Sequence, residues 1–342
     1  MSRLVMASIT ATLVFAVSGC SGLIASSADQ PQRPSTDVAN EPSQGEARQA
    51  FVVAPEPSAA TEPETGTSSA GPLVLDDLLG EDGRLSVLIL GSDRREGIIG
   101  ERTDAIIVAT ISPDSGKIAM VSMPRDTVNV PIGPDQVFRD RINTLYWHHT
   151  RKASKQKVAL RRTVKDFEFA FDTEIDYYAL VDFKGLVRLI NSIGGIEVTL
   201  EEKLHDPTMH MKPDGLKLKA GDRHLDGKRA LAFSRTRYTD SDYHRSRRQQ
   251  QVLTAVGERV RSRGLEYLPR LMELVSAKIV TDFPIEAAPL VLELAGQARL
   301  GKPKSVVLEP GRFARAGRQV YTITPKVAEV RRMFSKTFRP LD

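Results

Sequence analysis

Short apolar runs separated by turn sequences and helical patterns are the main structural signal in this chain. RLSVLILGSD (84–93) is rich in leucine and β-branched residues and ends in a polar turn, which predicts a buried strand. AIIVATIS (105–112) and KIAMVSMP (117–124) flank PDSG, a turn sequence with glycine in its last position. We therefore predict a β-hairpin over 105–124. IDYYALVD (175–182) predicts a further strand.

Helical patterns follow these strands. FKGLVRLINSIGG (183–195) predicts a helix closed by glycine, and IEVTL (196–200) predicts a strand after it. HLDGKRALAFSR (224–235) begins another helix, and a long helix is predicted over about 242–263, with a mostly helical region after it. TVKDFEFAF (163–171) suits a helix, although its aromatic residues leave this open. Strands that alternate with helices predict an α/β fold built in layers.

The first residues have the features of an export signal. MSR supplies positive charge, and LVMASITATLVFAV (4–17) is an apolar run shorter than the roughly 20 residues that a membrane span needs. The run ends in VSGC, where small residues precede Cys20, which resembles the lipobox at which a bacterial signal peptide is cut and the cysteine is acylated. We predict a lipoprotein signal peptide over 1–20. An ordinary signal peptide or anchor that happens to contain a cysteine is the alternative.

The amino-acid composition after residue 20 predicts a tether followed by a folded domain. Residues 21–72 hold seven of the 20 prolines, with few apolar residues, and predict a disordered tether before a domain at 73–342. Cys20 is the single cysteine, so this domain holds no internal disulfide and no cysteine metal site. The net charge of +5 among 342 residues permits an anionic ligand without requiring nucleic acid.

Two aspartates mark one candidate site. Asp93 closes the first predicted strand and Asp104 opens the next. If these strands are antiparallel, both carboxylates lie at the same end of the sheet, where they suit Mg²⁺ that also binds water and phosphate oxygens. The structural alternative is that Asp93 caps a turn and that Asp104 pairs with Arg102 or Arg125.

The sequence SMPRDT (122–127) follows the predicted hairpin. Pro124 restricts the backbone around it, so Arg125 leaves the sheet on a rigid segment. A surface pair between Arg125 and Asp126 is the alternative, and such pairs contribute little stability.

An arginine-rich stretch gives the strongest chemical signal. RTRYTDSDYHRSRRQQ (235–250) contains five arginines and no lysine. Helical spacing places Arg245 and Gln249 on the same face as Val252, the apolar and inward-facing side of the long helix, with Arg248 adjacent. An inward arginine needs a carboxylate or a ligand anion as its partner. The start of the helix adds free N–H groups that favour an anion.

The other arginines of this stretch differ in their predicted exposure. Arg247 lies on the opposite helix face and is predicted to be solvated. Arg235 and Arg237 are two residues apart, so they point the same way and form a clamp if the chain is extended there. The alternative is a structural network in which these arginines pair with Asp240 and Asp242.

Taken together, the motifs resemble the LytR–CpsA–Psr family of cell-envelope proteins. They occur in the family's order from about residue 84 to 253, and IVTDF (279–283) is compatible with a likeness that extends to about 336. The motifs are LILGSD, RTDAIIVAT, SMPRDT, RINTLY, IDYYALVDFKGLVRLINSIGGIEV, HLDGKRALAFSRTRY and DYHRSRRQQ.

The resemblance implies an enzyme on the outer face of the bacterial cytoplasmic membrane. Such enzymes move a glycopolymer from a polyprenyl-pyrophosphate carrier to peptidoglycan and form a phosphodiester. The implied fold is a layered α/β/α domain whose central mixed sheet is flanked by helices, with a polyprenyl pocket beside the arginines. A bound Mg²⁺, or another divalent cation such as Mn²⁺, is implied at Asp93 and Asp104.

The resemblance also assigns the residues that contact pyrophosphate. These are Arg125, Arg235, Arg237 and Arg245 with Gln249, and Arg248 is expected to join them. The chain departs from the family pattern in having His244 where glycine is usual, and a lipobox-like start in place of a single-pass anchor. The expected partners are the lipid-linked glycopolymer, a peptidoglycan acceptor and, through the lipid anchor, the membrane surface, without nucleic acid.

Three other functions would also account for some of these sequence features. A non-catalytic lipid-pyrophosphate-binding scaffold would use the same arginines, and a lipid pyrophosphatase would use water as the acceptor. Transcriptional regulation is disfavoured by the export signal and by a basic cluster that is local and not spread along a recognition helix.

Overall fold

A computed structural model gives the fold of most of the chain beyond the predicted tether. The predicted signal peptide, Cys20 and the tether lie outside the described residues. Within the described ranges, no helix is both long and apolar enough to cross a bilayer. The described residues are 74–94, 100–113, 117–211, 214–238, 241–297, 303–317 and 322–338.

The described elements form a sheet, smaller ladders and helices. The strands are β1 (Leu85–Ser92), β2 (Thr103–Ser112), β3 (Lys117–Ser122), β4 (Val130–Gly133), β5 (Gln136–Phe138), β6 (Tyr177–Asp182), β7 (Ile196–Leu200), β8 (Leu204–Asp206), β9 (Leu216–Leu218), β10 (Gly221–Leu225), β11 (Ile279–Thr281), β12 (Lys304–Val307), β13 (Ala314–Ala316) and β14 (Ile323–Pro325). The helices are α1 (Leu145–Thr150), α2 (Gln156–Phe171), α3 (Phe183–Ser192), α4 (Gly227–Arg235), α5 (Asp242–Arg263), α6 (Leu268–Lys278), α7 (Ala288–Gln297) and α8 (Val327–Phe338).

The central sheet has six strands in the order β11-β6-β1-β2-β3-β12. β1 pairs antiparallel with β2, and β2 pairs antiparallel with β3, so the predicted hairpin is confirmed. β6 and β12 join as parallel neighbours of β1 and β3, and β11 is antiparallel to β6. The sheet is therefore mixed, and the predicted layered α/β class is confirmed.

The two faces of the sheet pack differently. Leu88 and Leu90 of β1 belong to a core shared with buried residues of α1, α2 and α8, such as Tyr146 and Phe167. Because side chains alternate along a strand, neighbouring positions face the other way, towards α3, α4 and α5. Those three helices share a second core with β7 to β10. The candidate site lies on this second side.

The helices α3 and α5 agree closely with the sequence patterns. α5 has the predicted bounds, and α3 ends at Ser192, where Gly194 and Gly195 take φ values of 78° and 84° that favour glycine. α2 shows that the aromatic segment 163–171 is helical. The predicted helix 224–235 begins only at Gly227, because His224 and Leu225 end β10.

The region after α5 is less helical than predicted. Its segments β11 and β12 have three and four residues and extend the two edges of the central sheet. Strands this short do not show an alternation of apolar and polar residues that can be distinguished from the pattern of a helix.

A close contact between α3 and α4 depends on glycine. A Cβ atom on Gly227 would lie 2.2 Å from the carbonyl oxygen of Val187 and 2.8 Å from its Cα. Backbone atoms cannot move aside as a flexible side chain can, so only glycine allows these helices to approach this closely.

We predict that Gly227→Ala destabilises the protein by about 1–3 kcal/mol through overpacking at this contact. The free energy of unfolding, measured by chemical denaturation, checks this. Gly257→Ala is the matched control, because nothing lies within 4 Å of a Cβ at Gly257 in the middle of α5. That change should raise stability by about 0.5–1 kcal/mol. Equal effects of the two substitutions would contradict the packing argument.

Candidate active site

A cavity of about 1190 Å³ lies between the sheet and helices α3, α4 and α5. Much of its lining is apolar, and the polar part includes a group of acidic and basic side chains near the end of the sheet. The apolar lining includes Ile107, Val181, Leu186, Leu189, Val252 and Val256. The polar group comprises Asp104, Arg125, Asp126, Arg235, Arg237, Asp242, Arg245 and Gln249.

Asp104 lies near the start of β2 and binds two donors. Its Oδ2 accepts a hydrogen bond from Nη1 of Arg125 at 2.8 Å, and its Oδ1 accepts one from Nδ2 of Asn143 at 3.0 Å. Burial acts to raise the pKa of Asp104, but the charge of Arg125, the Asn143 hydrogen bond and the charge of Arg245 together hold that pKa below its usual value. Asp104 is therefore a carboxylate, and its predicted alternative pairing with Arg125 is formed.

Asp93 lies at the same end of the sheet, as the antiparallel register requires. Ser92 is paired with Thr103 next to a bulge, so β1 ends beside the start of β2. Oδ1 of Asp93 accepts a hydrogen bond from the amide of Arg102 at 2.8 Å, and the Asp93 amide donates to the Arg102 carbonyl at 2.9 Å. Asp93 closes a turn, as its structural alternative predicted, and does not line the cavity.

The oxygen atoms at this end of the sheet suit a hard divalent cation. Asp93 and Asp104 offer carboxylate oxygens, and Oδ1 of Asn143 is a buried acceptor without a hydrogen-bond donor. Across the described ranges, no three His, Cys, Asp or Glu side chains group closely enough to hold a metal by themselves. The oxygen atoms of Asp93, Asp104 and Asn143 are of the type that Mg²⁺ binds, and the other ligands of such an ion would have to come from outside these side chains.

Arg245 is the most buried arginine of the polar group. It is 3 % exposed, and its Nη2 lies 2.7 Å from Oδ1 of Asp242. The same nitrogen donates to the carbonyl of Asp104 at 3.4 Å, which Gln249 Nε2 also approaches at 3.5 Å. Burial lowers the pKa of Arg245 to about 10, against the charge of Asp242, so the guanidinium stays charged at neutral pH. The predicted inward face of α5 is thus confirmed.

Two buried donors of this group have no acceptor. Nε of Arg125 and Nε of Arg245 are shielded from solvent and make no hydrogen bond with any described residue. Buried polar atoms in folded proteins nearly always have a partner. An anionic ligand in the cavity would supply acceptors for both.

Arg235 and Arg237 both line the cavity, although not as an extended clamp. Arg235 is the last residue of α4, and its guanidinium lies 4.4 Å from the centre of the Phe183 ring. Arg237 follows the helix, is half-exposed and lies 3.7 Å from Oδ1 of Asp242. The alternative pairing with Asp242 is therefore formed for Arg237, and Asp240 lies outside the described residues.

Arg248 and Arg247 are placed differently from the cavity arginines. Nε of Arg248 donates to the Phe233 carbonyl at 3.0 Å, and its Nη2 donates to the carbonyl of Thr236. Arg248 is buried, holds the end of α4 against α5 and does not line the cavity. Arg247 lies on the exposed face, as predicted, and pairs with Glu309 at 2.7 Å.

Two further polar residues of α5 lie outside the cavity lining. His244 is exposed, with its Nδ1 2.9 Å from Ser241 Oγ, so the unusual residue of the motif faces solvent. Gln250 is buried and donates to Ser122 Oγ at 2.8 Å and to the Val306 carbonyl at 2.9 Å, which ties α5 to β3 and β12. Helical spacing predicted that Gln249 faces the site, and Gln249 does line the cavity, whereas the structural role of Gln250 was not predicted.

Comparisons with known proteins agree with the fold and the motifs. Over 187 residues the chain is 31% identical to the polyisoprenyl-teichoic acid–peptidoglycan teichoic acid transferase TagV of Bacillus subtilis (strain 168), which covers 54% of this chain and 46% of that protein. It is 30% identical over 238 residues to the polyisoprenyl-teichoic acid–peptidoglycan teichoic acid transferase TagU of Enterococcus faecalis (strain ATCC 700802 / V583). This match covers 68% of this chain and 72% of that protein. Like TagV of B. subtilis, several other relatives are matched over only about half of their own length.

Solved structures share this fold. The crystal structure of B. subtilis TagV matches with a TM-score of 0.60 and 25% identity, covering 76% of this chain and 98% of that chain. A structure of TagT bound to LI-WTA matches with a TM-score of 0.58 and 23% identity, covering 75% of this chain and 89% of that chain, which shows likeness of fold. The profile of the LytR_cpsA_psr family matches residues 53–319, well over half of the sequence. This protein therefore belongs to the LytR_cpsA_psr family.

Proposed function

We propose that this protein transfers a glycopolymer from a polyprenyl-pyrophosphate carrier to peptidoglycan by metal-assisted phosphoryl transfer. The observation that carries the proposal is one cavity in which Arg125 and Arg245 each hold a buried donor without an acceptor beside an extensive apolar lining. A diphosphate on a long hydrocarbon chain has the matching chemistry, an anionic head and an apolar tail. The transferase names of the relatives support the same reaction class.

The arginines are suited to hold the diphosphate and to balance charge during transfer. Guanidinium groups donate to phosphate through two parallel hydrogen bonds and keep their charge. An acceptor hydroxyl oxygen attacks the phosphorus that carries the glycopolymer and forms a new P–O bond, and the hydroxyl proton passes to water. The bond from that phosphorus to the bridging oxygen breaks, and polyprenyl phosphate leaves with the electron pair. Arg125 and Arg245 lie where this developing negative charge can be stabilised.

A divalent cation completes the proposed donor site. Mg²⁺ or Mn²⁺ held by Asp93 and Asp104 would neutralise part of the diphosphate charge. Asp104 also orients Arg125, because its carboxylate accepts the Arg125 hydrogen bond at 2.8 Å. Asp104 would thus provide an oxygen ligand to the metal while it holds Arg125.

Arg245→Ala and Arg125→Ala should each lower the rate of transfer about 10²–10³-fold, as loss of one preorganised donor to transition-state charge does. Transfer from a synthetic lipid-pyrophosphate sugar to peptidoglycan measures this, after circular dichroism confirms folding. Arg247→Ala is the matched control on the same helix, because Arg247 pairs with Glu309 outside the cavity. Near-normal transfer by both folded cavity variants would contradict the proposal.

Chelation by EDTA should abolish transfer, and added Mg²⁺ or Mn²⁺ should restore it. Asp104→Asn should raise the Mg²⁺ concentration needed for half-maximal rate about tenfold or more, because a hard cation loses an anionic ligand. Asp222→Asn, an exposed carboxylate on β10, is the control. A rate that does not respond to chelation would remove the metal from the mechanism.

The acceptor distinguishes transfer from the two other functions that the site suits. Release of polyprenyl phosphate that needs no peptidoglycan would identify a lipid pyrophosphatase. Tight binding of the donor without any turnover would identify a non-catalytic scaffold. The proposed transferase forms a product in which the glycopolymer phosphate is covalently joined to the acceptor.

We also propose that Cys20 anchors the protein by a lipid at the outer face of the cytoplasmic membrane. The small residues before this cysteine and the apolar run 4–17 support the proposal. Cys20→Ser should abolish incorporation of a labelled fatty acid and shift the protein out of the membrane fraction. Unchanged labelling in this variant would contradict the anchor.

A further inference from the structure

One carboxylate lies among three of the cavity arginines. Asp242 is the first residue of α5, and its Oδ1 is 2.7 Å from Arg245 Nη2, 3.7 Å from Arg237 Nη1 and 3.8 Å from Arg125 Nε. These arginines come from three segments of the chain: α5, the connection after α4 and the segment after β3. Their guanidinium groups therefore converge on one internal anion.

The contacts of Asp242 are electrostatic and lack aligned hydrogen bonds. Both of its carboxylate oxygens are buried, and neither accepts a hydrogen bond from a described residue. Asp104 differs, because both of its oxygens accept hydrogen bonds from side chains. A buried carboxylate without aligned hydrogen bonds is costly, so Asp242 is held mainly by its charge contacts with the arginines, the shortest of them to Arg245.

The surroundings of Asp242 add to this cost. Burial raises the pKa of Asp242, and the nearby charge of Asp126 raises it further, while Arg245, Arg125 and Arg237 lower it without cancelling the effect. The carboxylate thus balances the charge of the arginines in a position that is unfavourable for the carboxylate itself.

A phosphate anion would use the same guanidinium groups. Nε of Arg125 and Nε of Arg245 have no acceptor, although the Asp242 carboxylate lies close to both arginines. Any diphosphate that binds these donors brings its negative charge near that of Asp242. Like charges at such short range repel, and the repulsion weakens anion binding.

We propose that Asp242 is an internal counter-ion that competes with the donor's diphosphate for Arg125, Arg237 and Arg245. This inference rests on the proposed function, because it takes the anion to be a diphosphate. Asp242 holds the arginines together before the donor binds, and it lowers affinity for both the donor and the polyprenyl phosphate product. Tighter binding of substrate and product alike would not speed the chemical step, and weaker binding favours product release.

The test measures binding of inorganic pyrophosphate to the full chain by isothermal titration calorimetry. Asp242→Asn removes the charge and keeps the shape, so it should bind pyrophosphate about tenfold more tightly than wild type. Asp242→Glu retains the charge and should stay within about twofold of wild type. Asp222→Asn changes net charge by the same amount on the exposed face of β10, and its affinity should equal that of wild type.

Each result bears on one of the two proposals. Unchanged or weaker pyrophosphate binding by folded Asp242→Asn, with wild-type binding intact, would overturn this inference and leave the proposed function in place. Wild-type protein that binds no pyrophosphate would instead contradict the proposed function. If Asp242→Asn does not fold, Asp242→Ser is measured in its place, and failure of both to fold would identify a structural residue and overturn the inference. In the transfer assay, a competing counter-ion also predicts that Asp242→Asn lowers KM for the lipid donor and lowers kcat.

Discussion

The arrangement of the site depends on balancing guanidinium charge inside the protein. Arg245 is almost completely buried, and Arg125 is only slightly exposed. A buried cation is tolerated only where anions and acceptors replace the lost water. Asp104 and Asp242 are two of those anions, from different parts of the fold, and Asp126 is a third, with its Oδ2 3.5 Å from Arg125 Nε. The register of β1 and β2 places Asp104 at the sheet end, and the start of α5 places Asp242.

Small residues keep space beside these charges. A Cβ on Gly91 would lie 2.8 Å from the Cβ of Ala105, its partner across β1 and β2, so this part of the sheet presents little side-chain bulk to the cavity. On the side of the cavity opposite the sheet, α3 and α4 pack closely against each other at Gly227. The lining therefore remains open next to the arginines, and apolar residues of α3 and α5 continue it. The cavity therefore has a part next to the arginines where charge is balanced, and a part along α3 and α5 that has room for a large apolar ligand.

Long patterns in the sequence predicted the fold well, whereas single positions in the site were harder to assign. The strands β1 to β3 and the bounds of α5 follow from runs of eight residues or more. β11 and β12 were missed because three or four residues carry no periodicity. Asn143 was not singled out, since only its placement beside Asp104 shows that it contributes to the site. Asp242 was considered as a structural partner, and the convergence of three arginines on it appears only in three dimensions.

The comparison of Arg245 with Arg248 shows what the sequence cannot distinguish. Both are buried arginines on one helix, three residues apart, and both were expected to bind the pyrophosphate. Arg248 donates to carbonyls at the end of α4, so its donors are used within the fold. Arg245 keeps a buried Nε without an acceptor and lines the cavity. Hydrogen-bond satisfaction therefore separates the arginine that builds the site from the arginine that is available to a ligand, and residue type and helical spacing do not.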